Sequence, residues 1–218
     1  MRSDQFIALA WSCLFPLTVF AHPHVRVVYQ VDPVFEQGSI RAMHINWQLD
    51  AMTSAQIREN IDLNKNGVLD ESELQAFADS NFELMKPNEF FLTLQRAQDA
   101  TPVAFEVVNY NANDAGHGFQ GGIHMTFTVQ IKDESAHSGL KVKFFDPTWY
   151  MALLPQAGFG STSLKNACHA EILNATSNTA LQGQQVVPLM WIQCAKENEV
   201  RPTAQTFLDT EPIHGDSL

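Results

Sequence analysis

Residues 62–73 read DLNKNGVLDESE, and no other stretch restricts the fold of this chain as tightly. Side-chain oxygens occupy its first, third, fifth, ninth and twelfth positions and Gly67 its sixth, which is the pattern of an EF-hand calcium loop. The spacing has a physical cause. Ca²⁺ is a hard cation that takes six to eight oxygens at about 2.3–2.6 Å, so a short loop must wrap the ion and turn alternate residues inward. Asp62, Asn64 and Asn66 are expected to ligate through their side chains and Val68 through its carbonyl. Asp70 is expected to act through a water and Glu73 with both carboxylate oxygens. Gly67 permits the sharp turn, because glycine takes φ > 0 without steric cost.

A loop of this kind needs a helix on each side. Upstream, Thr53 or Ser54 can cap a helix whose Ile57 and Ile61 share one face. Downstream, Leu74, Phe77 and Ala78 repeat the helical period, and the whole excursion is expected to span residues 52–85.

The rest of the chain reads as strands. Residues 25–31 and 40–49 alternate and are joined by Gln37-Gly38, which predicts a hairpin. In the second of these, Met43, Ile45, Trp47 and Leu49 lie opposite Ile40, Ala42, His44 and Asn46. Further strands are expected at 90–94, 103–110, 123–131 and 140–146, then at 168–173 and 186–193, with 149–154 either a strand or a helical turn. The expected fold class is α+β, mostly β: an antiparallel β-sandwich-like core with an inserted helix-loop-helix EF-hand.

Residues 1–21 fix the expected compartment. Arg2 precedes an apolar run from Phe6 to Phe20, and Ala21 ends it, as in a cleaved secretory signal peptide. The run is too short for a membrane span, and Trp11 stands where a lipoprotein reading through Cys13 needs a small residue. A periplasmic location follows, with residues 22–195 as the folded domain and 196–218 as a loosely held tail. Net charge is −11 with 13 Lys plus Arg, which argues against nucleic acid and anionic membrane as partners.

Leader cleavage leaves Cys168 and Cys194, and an even pair in an exported chain reads as a disulfide. Closing that loop contributes about 3.5 kcal/mol in the chain-entropy estimate. The competing reading is a Cys/His metal site with His169, but no CxxC spacing accompanies it.

A start of HPHV after the leader, the strand pair ending in Trp47, the acidic loop, NFELMKPNEFF and FFDPTWY together resemble an uncharacterised family of bacterial periplasmic proteins, the one called domain of unknown function number one thousand and seven. The resemblance runs from His22 to about Cys194. Members are often labelled periplasmic components of ABC-type transport systems or are placed beside nickel/cobalt-type transporters. The resemblance therefore implies a transporter as partner and a setting in metal uptake. Asn at the third and fifth loop positions lowers the ligand charge, so a calcium dissociation constant of about 10⁻⁵–10⁻³ M is expected, with the ion structural.

A second metal site is suggested by His22 and His24. An N-terminal histidine offers its α-amine and imidazole to copper, nickel, cobalt or zinc, and Pro23 excludes a site needing an amide nitrogen at the second residue. His117 and His124, flanking GHGFQGGIH, are candidate further ligands. The bland reading of each is a mobile end or an ordinary strand residue. No catalytic set emerges: GFGS at 158–161 lacks the strand-turn-helix context of a nucleophile elbow. The leading expectation is a non-enzymatic, calcium-braced accessory of a metal transport system. The alternative is a protein-interaction or solute-binding module, for which Trp149, Tyr150 and Phe159 could supply a surface.

Overall fold

The computed structural model describes residues 24–36, 39–116, 121–133, 139–156, 162–163, 168–179 and 183–194. The expected leader at 1–21, the tail at 196–218, and His22, His117 and Phe159 lie outside the described residues.

The chain opens with β1 (Val25–Glu36) and β2 (Ser39–Leu49), then α1 (Ala51–Ile61) and α2 (Glu71–Met85). A 3₁₀ turn (Lys86–Phe91) leads to β3 (Leu92–Arg96), β4 (Phe105–Asp114), β5 (Ile123–Ile131), β6 (Gly139–Phe144) and β7 (Met151–Pro155). The described elements end with β8 (Thr162–Ser163), β9 (Cys168–Thr179) and β10 (Gly183–Cys194). The strands form two sheets, β4-β5-β2-β1-β7 and β3-β6-β10-β9-β8. Among the described residues the protein is mostly β, with two α-helices.

The hairpin of β1 and β2 is antiparallel and centred on Tyr29↔Trp47, as alternation requires. Parity alone would put Ile40 on the side of His44, yet Ile40 and Met43 are both fully buried. The cause is a bulge. Val34 pairs with Ala42 and Phe35 with Ile40, so Arg41 is an extra residue that turns the end of β2 over.

Three expectations need correction. The core is not wholly antiparallel, because β1 and β7 pair in parallel, Val25↔Met151 through Tyr29↔Pro155. Parallel neighbours need a long crossover, and here the chain visits β2 to β6 before returning. Helix α1 is capped by Asp50, not Thr53 or Ser54: its carboxylate accepts from Thr53 N–H at 2.9 Å and from Arg26 N–H at 2.9 Å. The third strand starts at Leu92 rather than Phe90, because Glu89, Phe90 and Phe91 all have left-handed φ, at 49°, 55° and 52°. Each such residue costs about 1–2 kcal/mol, and burial of the Phe90 ring holds the turn.

A chain of rings runs through the core. Phe82 of α2 meets Tyr110 of β4 at 5.6 Å, Tyr110 meets Phe127 at 5.4 Å, and Phe127 meets Trp47 at 5.3 Å. Trp47 and Tyr29 of the first sheet then contact Phe144 of the second, at 5.8 and 4.7 Å. One apolar cluster is thus shared by both sheets and by α2. In the second sheet Cys168 and Cys194 lie directly opposite each other on β9 and β10 and form a disulfide. Sulfurs bonded to one another are not thiolate ligands, which removes the Cys/His metal reading. His169 packs edge-on against Trp191 instead, at 5.6 Å.

Candidate metal centre

Helix α1 ends at Ile61 and α2 begins at Glu71, so residues 62–70 form the turn between them and 71–73 open the second helix. The side chains of the turn hold its backbone. Asp62 accepts from Asn66 N–H through Oδ1 at 3.1 Å and from Gly67 N–H through Oδ2 at 2.8 Å. Asn64 Oδ1 accepts from Asn66 N–H at 2.9 Å, and Asn66 Oδ1 from Val68 N–H at 2.8 Å. Gly67 has φ of +80°, the conformation for which the sequence supplies glycine.

Asp70 and Glu73 close the far side as a reciprocal cap. Asp70 Oδ1 accepts from Glu73 N–H at 3.0 Å, and Glu73 Oε2 accepts from Asp70 N–H at 3.1 Å. Glu73 is buried, and its Oε1 reaches across the loop to accept from Leu63 N–H at 2.8 Å. The hydroxyl of Ser72 and the Glu73 N–H hold the Asp70 carboxyl below the usual carboxylate range. At position eight, Leu69 is half-buried against the core while Leu63 and Val68 are exposed.

All these donors are hard oxygens, so the set fits Ca²⁺ in chemistry. Asp62, Asn64, Asn66, the Val68 carbonyl and Glu73 are the groups that would hold it directly. Among the described residues, no three His, Cys, Asp or Glu side chains are gathered as a ready metal cage. The like charges of Asp62, Asp70 and Glu73 repel, and each of these three carboxylates accepts from backbone N–H groups of the loop while keeping lone pairs for a cation.

The loop is firmly attached to the first sheet by residues that motif spacing does not reveal. Arg58 of α1 grips Asp114 at the end of β4, Nε to Oδ2 at 2.7 Å and Nη2 to Oδ1 at 2.5 Å, and donates to the Gly116 carbonyl at 2.6 Å. The Asp114 hydrogen bond is the main cause of an upward shift in the Arg58 pKa. Ser54, fully buried, donates to the Leu49 carbonyl at 3.3 Å and accepts from Ile123 N–H at 3.0 Å. Gly122 makes that approach possible: a Cβ there would stand 3.0 Å from both Leu49 O and Ser54 Oγ. A buried serine in an amphipathic helix was the available signal.

The described histidines are dispersed. His24 enters β1 with its N–H on the Tyr150 carbonyl at 2.9 Å and its ring 5.3 Å from that of Tyr150. His124 lies opposite Gln48, which lies opposite Val28. Strand spacing therefore puts His24 and His124 about 10 Å apart across the sheet and about 13 Å along it, too far for one ion. His44 pairs with Asp32 and Thr128, four residues along β2 from Gln48. Of the aromatic surface candidates, Trp149 meets Phe145 edge-on at 5.7 Å and Tyr150 is exposed. No described helix is long and apolar enough to cross a membrane.

Residues 7–204 match the family model described as Protein of unknown function (DUF1007). The chain belongs to this family. No curated protein and no solved structure gives a significant match. The DUF1007 match spans both helices, the loop between them and all ten described strands, so the acidic turn lies within the family's domain.

Proposed function

We propose that this DUF1007 protein is an exported calcium-binding protein without enzymatic activity, acting as a periplasmic accessory or binding component of a metal transport system. The observation that carries the calcium part is the loop itself. Asp62, Asn64 and Asn66 fold the turn over their own oxygens, Gly67 provides the left-handed step, and Glu73 reaches across to Leu63. In this reading residues 51–85 are an EF-hand inserted in a two-sheet sandwich, supported by the rings of Trp47, Tyr29 and Phe144 that join the sheets. Ca²⁺ draws Asp62, Asp70 and Glu73 together by cancelling their repulsion, and acts as a structural clamp. Arg58 and Ser54 pass that stiffening to β4 and β5.

The transport setting rests on the family resemblance, on the leader-like residues 1–21 and on His22 and His24 as ligands for copper, nickel, cobalt or zinc. The calcium part is tested by thermal unfolding of the mature chain with chelator or with about 2 mM Ca²⁺. A dissociation constant near 10⁻⁴ M predicts a gain of about 2 kcal/mol, or about 5 °C in Tm. Glu73→Gln should lose most of that gain, and an equal gain in the variant would remove Glu73 from the site. A second reading, a solute-binding module, is favoured by two polar hollows on the first sheet.

A further inference from the structure

The outward face of the first sheet carries mostly polar side chains, with one carboxylate, Asp32, in the rows described here. Across four strands, Gln30, Asn46, Thr126 and Asn111 form one continuous row by register. The flanking rows are Gln48, His124 and Asn113 on one side, and Asp32, His44 and Thr128 on the other. The opposite side chains of these strands fill the core, and a polar outer face is what such a sheet ordinarily shows to water; Val28 and Val108 are its apolar members in these rows, so it is the hollows and their unpartnered atoms that single the face out.

Two hollows meet at Asn46. One, of about 370 Å³, is bordered by Asp32, His44, Asn109, Asn111 and Thr126. The other, of about 190 Å³, is bordered by Gln30, Gln48, His124 and Gln156. The larger is shaped by a bulge in β4 between Val108 and Asn111. Asn109 there is left-handed, with φ of 55°, so Tyr110 turns into the core while Asn109 and Asn111 both line the hollow. Asn111 Nδ2 donates to the Asn109 carbonyl at 2.8 Å, and His44 Nδ1 and Thr128 Oγ1 share a hydrogen bond of 3.1 Å. The walls are therefore held in place.

Asn46 Oδ1, where the hollows meet, and His124 Nε2, in the smaller one, are buried and have no hydrogen-bond partner among the described residues. A buried polar atom without a partner opposes folding, and native structures keep few of them unless something fills the gap. Chemistry narrows what that is. Among the described residues no Lys or Arg borders either hollow, so an oxyanion finds no counter-charge from them. No three metal-binding side chains among the described residues gather there, and the few apolar neighbours, Val28, Ile45 and Phe127, offer little to a hydrocarbon. Amides, a carboxylate and threonine hydroxyls side by side do suit adjacent hydroxyl groups, since each planar group both fixes direction and spans two neighbouring ligand atoms.

We propose that this face binds a neutral, hydroxyl-rich ligand, a sugar ring or short glycan, seated over Asn46 with His124 at one end and the Asp32–His44 pair at the other. The site is separate from the calcium loop. Its test is ¹H–¹⁵N correlation spectroscopy of the mature chain titrated with glucose, maltotriose and N,N′-diacetylchitobiose. The expected result is saturable shifts at residues 30, 44–48, 111 and 124–128 with at least one probe, at a dissociation constant of about 1 mM or tighter. A tighter fit to the oligomers than to glucose assigns a glycan, and equal fits assign a free sugar. Asn46→Ala and, independently, the edge-strand Asn111→Ala should each weaken binding about tenfold while the spectrum stays dispersed, and Glu73→Gln should leave it unchanged. No saturable shift up to about 50 mM of any probe, shifts confined to another face, or wild-type affinity in both alanine variants would overturn the proposal.

Discussion

The helical turn and the outward face of the first sheet are both rich in side-chain oxygens, and they use them in opposite ways. In the turn, Asp62, Asn64, Asn66, Asp70 and Glu73 each accept a backbone N–H from within residues 62–73. The backbone there has no ladder to join, so side chains supply its partners. On the sheet, the strands of Gln30, Asn46 and Thr126 satisfy one another, so apart from Asn111 and Gln48, which donate to the carbonyls of Asn109 and Gly121, the side chains of these rows are not taken up in holding backbone. Asn46 and His124 consequently keep a buried polar atom with no partner among the described residues. Polar side chains that shape the backbone are structural first, and serve a cation through the lone pairs their backbone bonds leave over. Those that the backbone presents are already in place for a ligand.

Substitutions should separate the two regions by size of effect. Glu73→Ala removes the acceptor for both Leu63 N–H and Asp70 N–H and is expected to cost about 2 kcal/mol in chelator, measured by urea unfolding. A loss below about 0.5 kcal/mol would mean that the turn does not depend on its own side chains. Arg58→Ala leaves Asp114 half-buried without its main cation and should cost about 1.5 kcal/mol, while also reducing hydrogen-exchange protection of α1. If α1 kept its protection, the attachment of the turn to the sheet would lie in the apolar contacts alone.

Acid should act on the turn side as well. Burial pushes the Asp50 carboxyl up, but hydrogen bonds from Thr53 and Arg26 outweigh this and hold it below the usual range. With the folded pKa lowered, the unfolded state takes up the proton first. This contribution is therefore complete above pH about 5 and is lost as pH falls from about 4 through the folded value. Asp50→Asn keeps a good cap but no charge, so its Tm should fall less than the wild type between pH 5 and pH 3; parallel curves would refute the assignment. The smallest effect is expected at Asn46→Val. It deletes an orphaned polar atom on a strand, so stability should stay within about 0.5 kcal/mol of wild type or rise, in contrast with Glu73→Ala.

The same contrast explains what the sequence made legible. The turn is twelve consecutive residues, so spacing alone placed Asp62, Gly67 and Glu73, and the helices on either side follow the expectation closely. Alternation likewise located the 123–131 strand and the hairpin partner of β1, and the cysteine pair located the bond between β9 and β10. What spacing could not reveal depends on strands far apart in the chain. The row from Gln30 to Asn46, Thr126 and Asn111 exists only through register, and the parallel pairing of β1 with β7 only through the path between them. The left-handed turn at Glu89–Phe91 is set by where the Phe90 ring is buried, which no local preference of Glu or Phe encodes. His24 and His124 are close to neighbouring glycines and prolines in the sequence, but strand spacing keeps them apart.

The calcium assignment is tested most sharply by a calorimetric titration of chelator-treated protein, residues 22–218, with Ca²⁺, repeated with Mg²⁺. The expected result is one Ca²⁺ site per chain with a dissociation constant of about 10⁻⁵–10⁻³ M, weakened at least tenfold in Glu73→Gln, and much weaker heat with Mg²⁺. A flat Ca²⁺ titration up to about 10 mM, or one identical in wild type and Glu73→Gln, would contradict it.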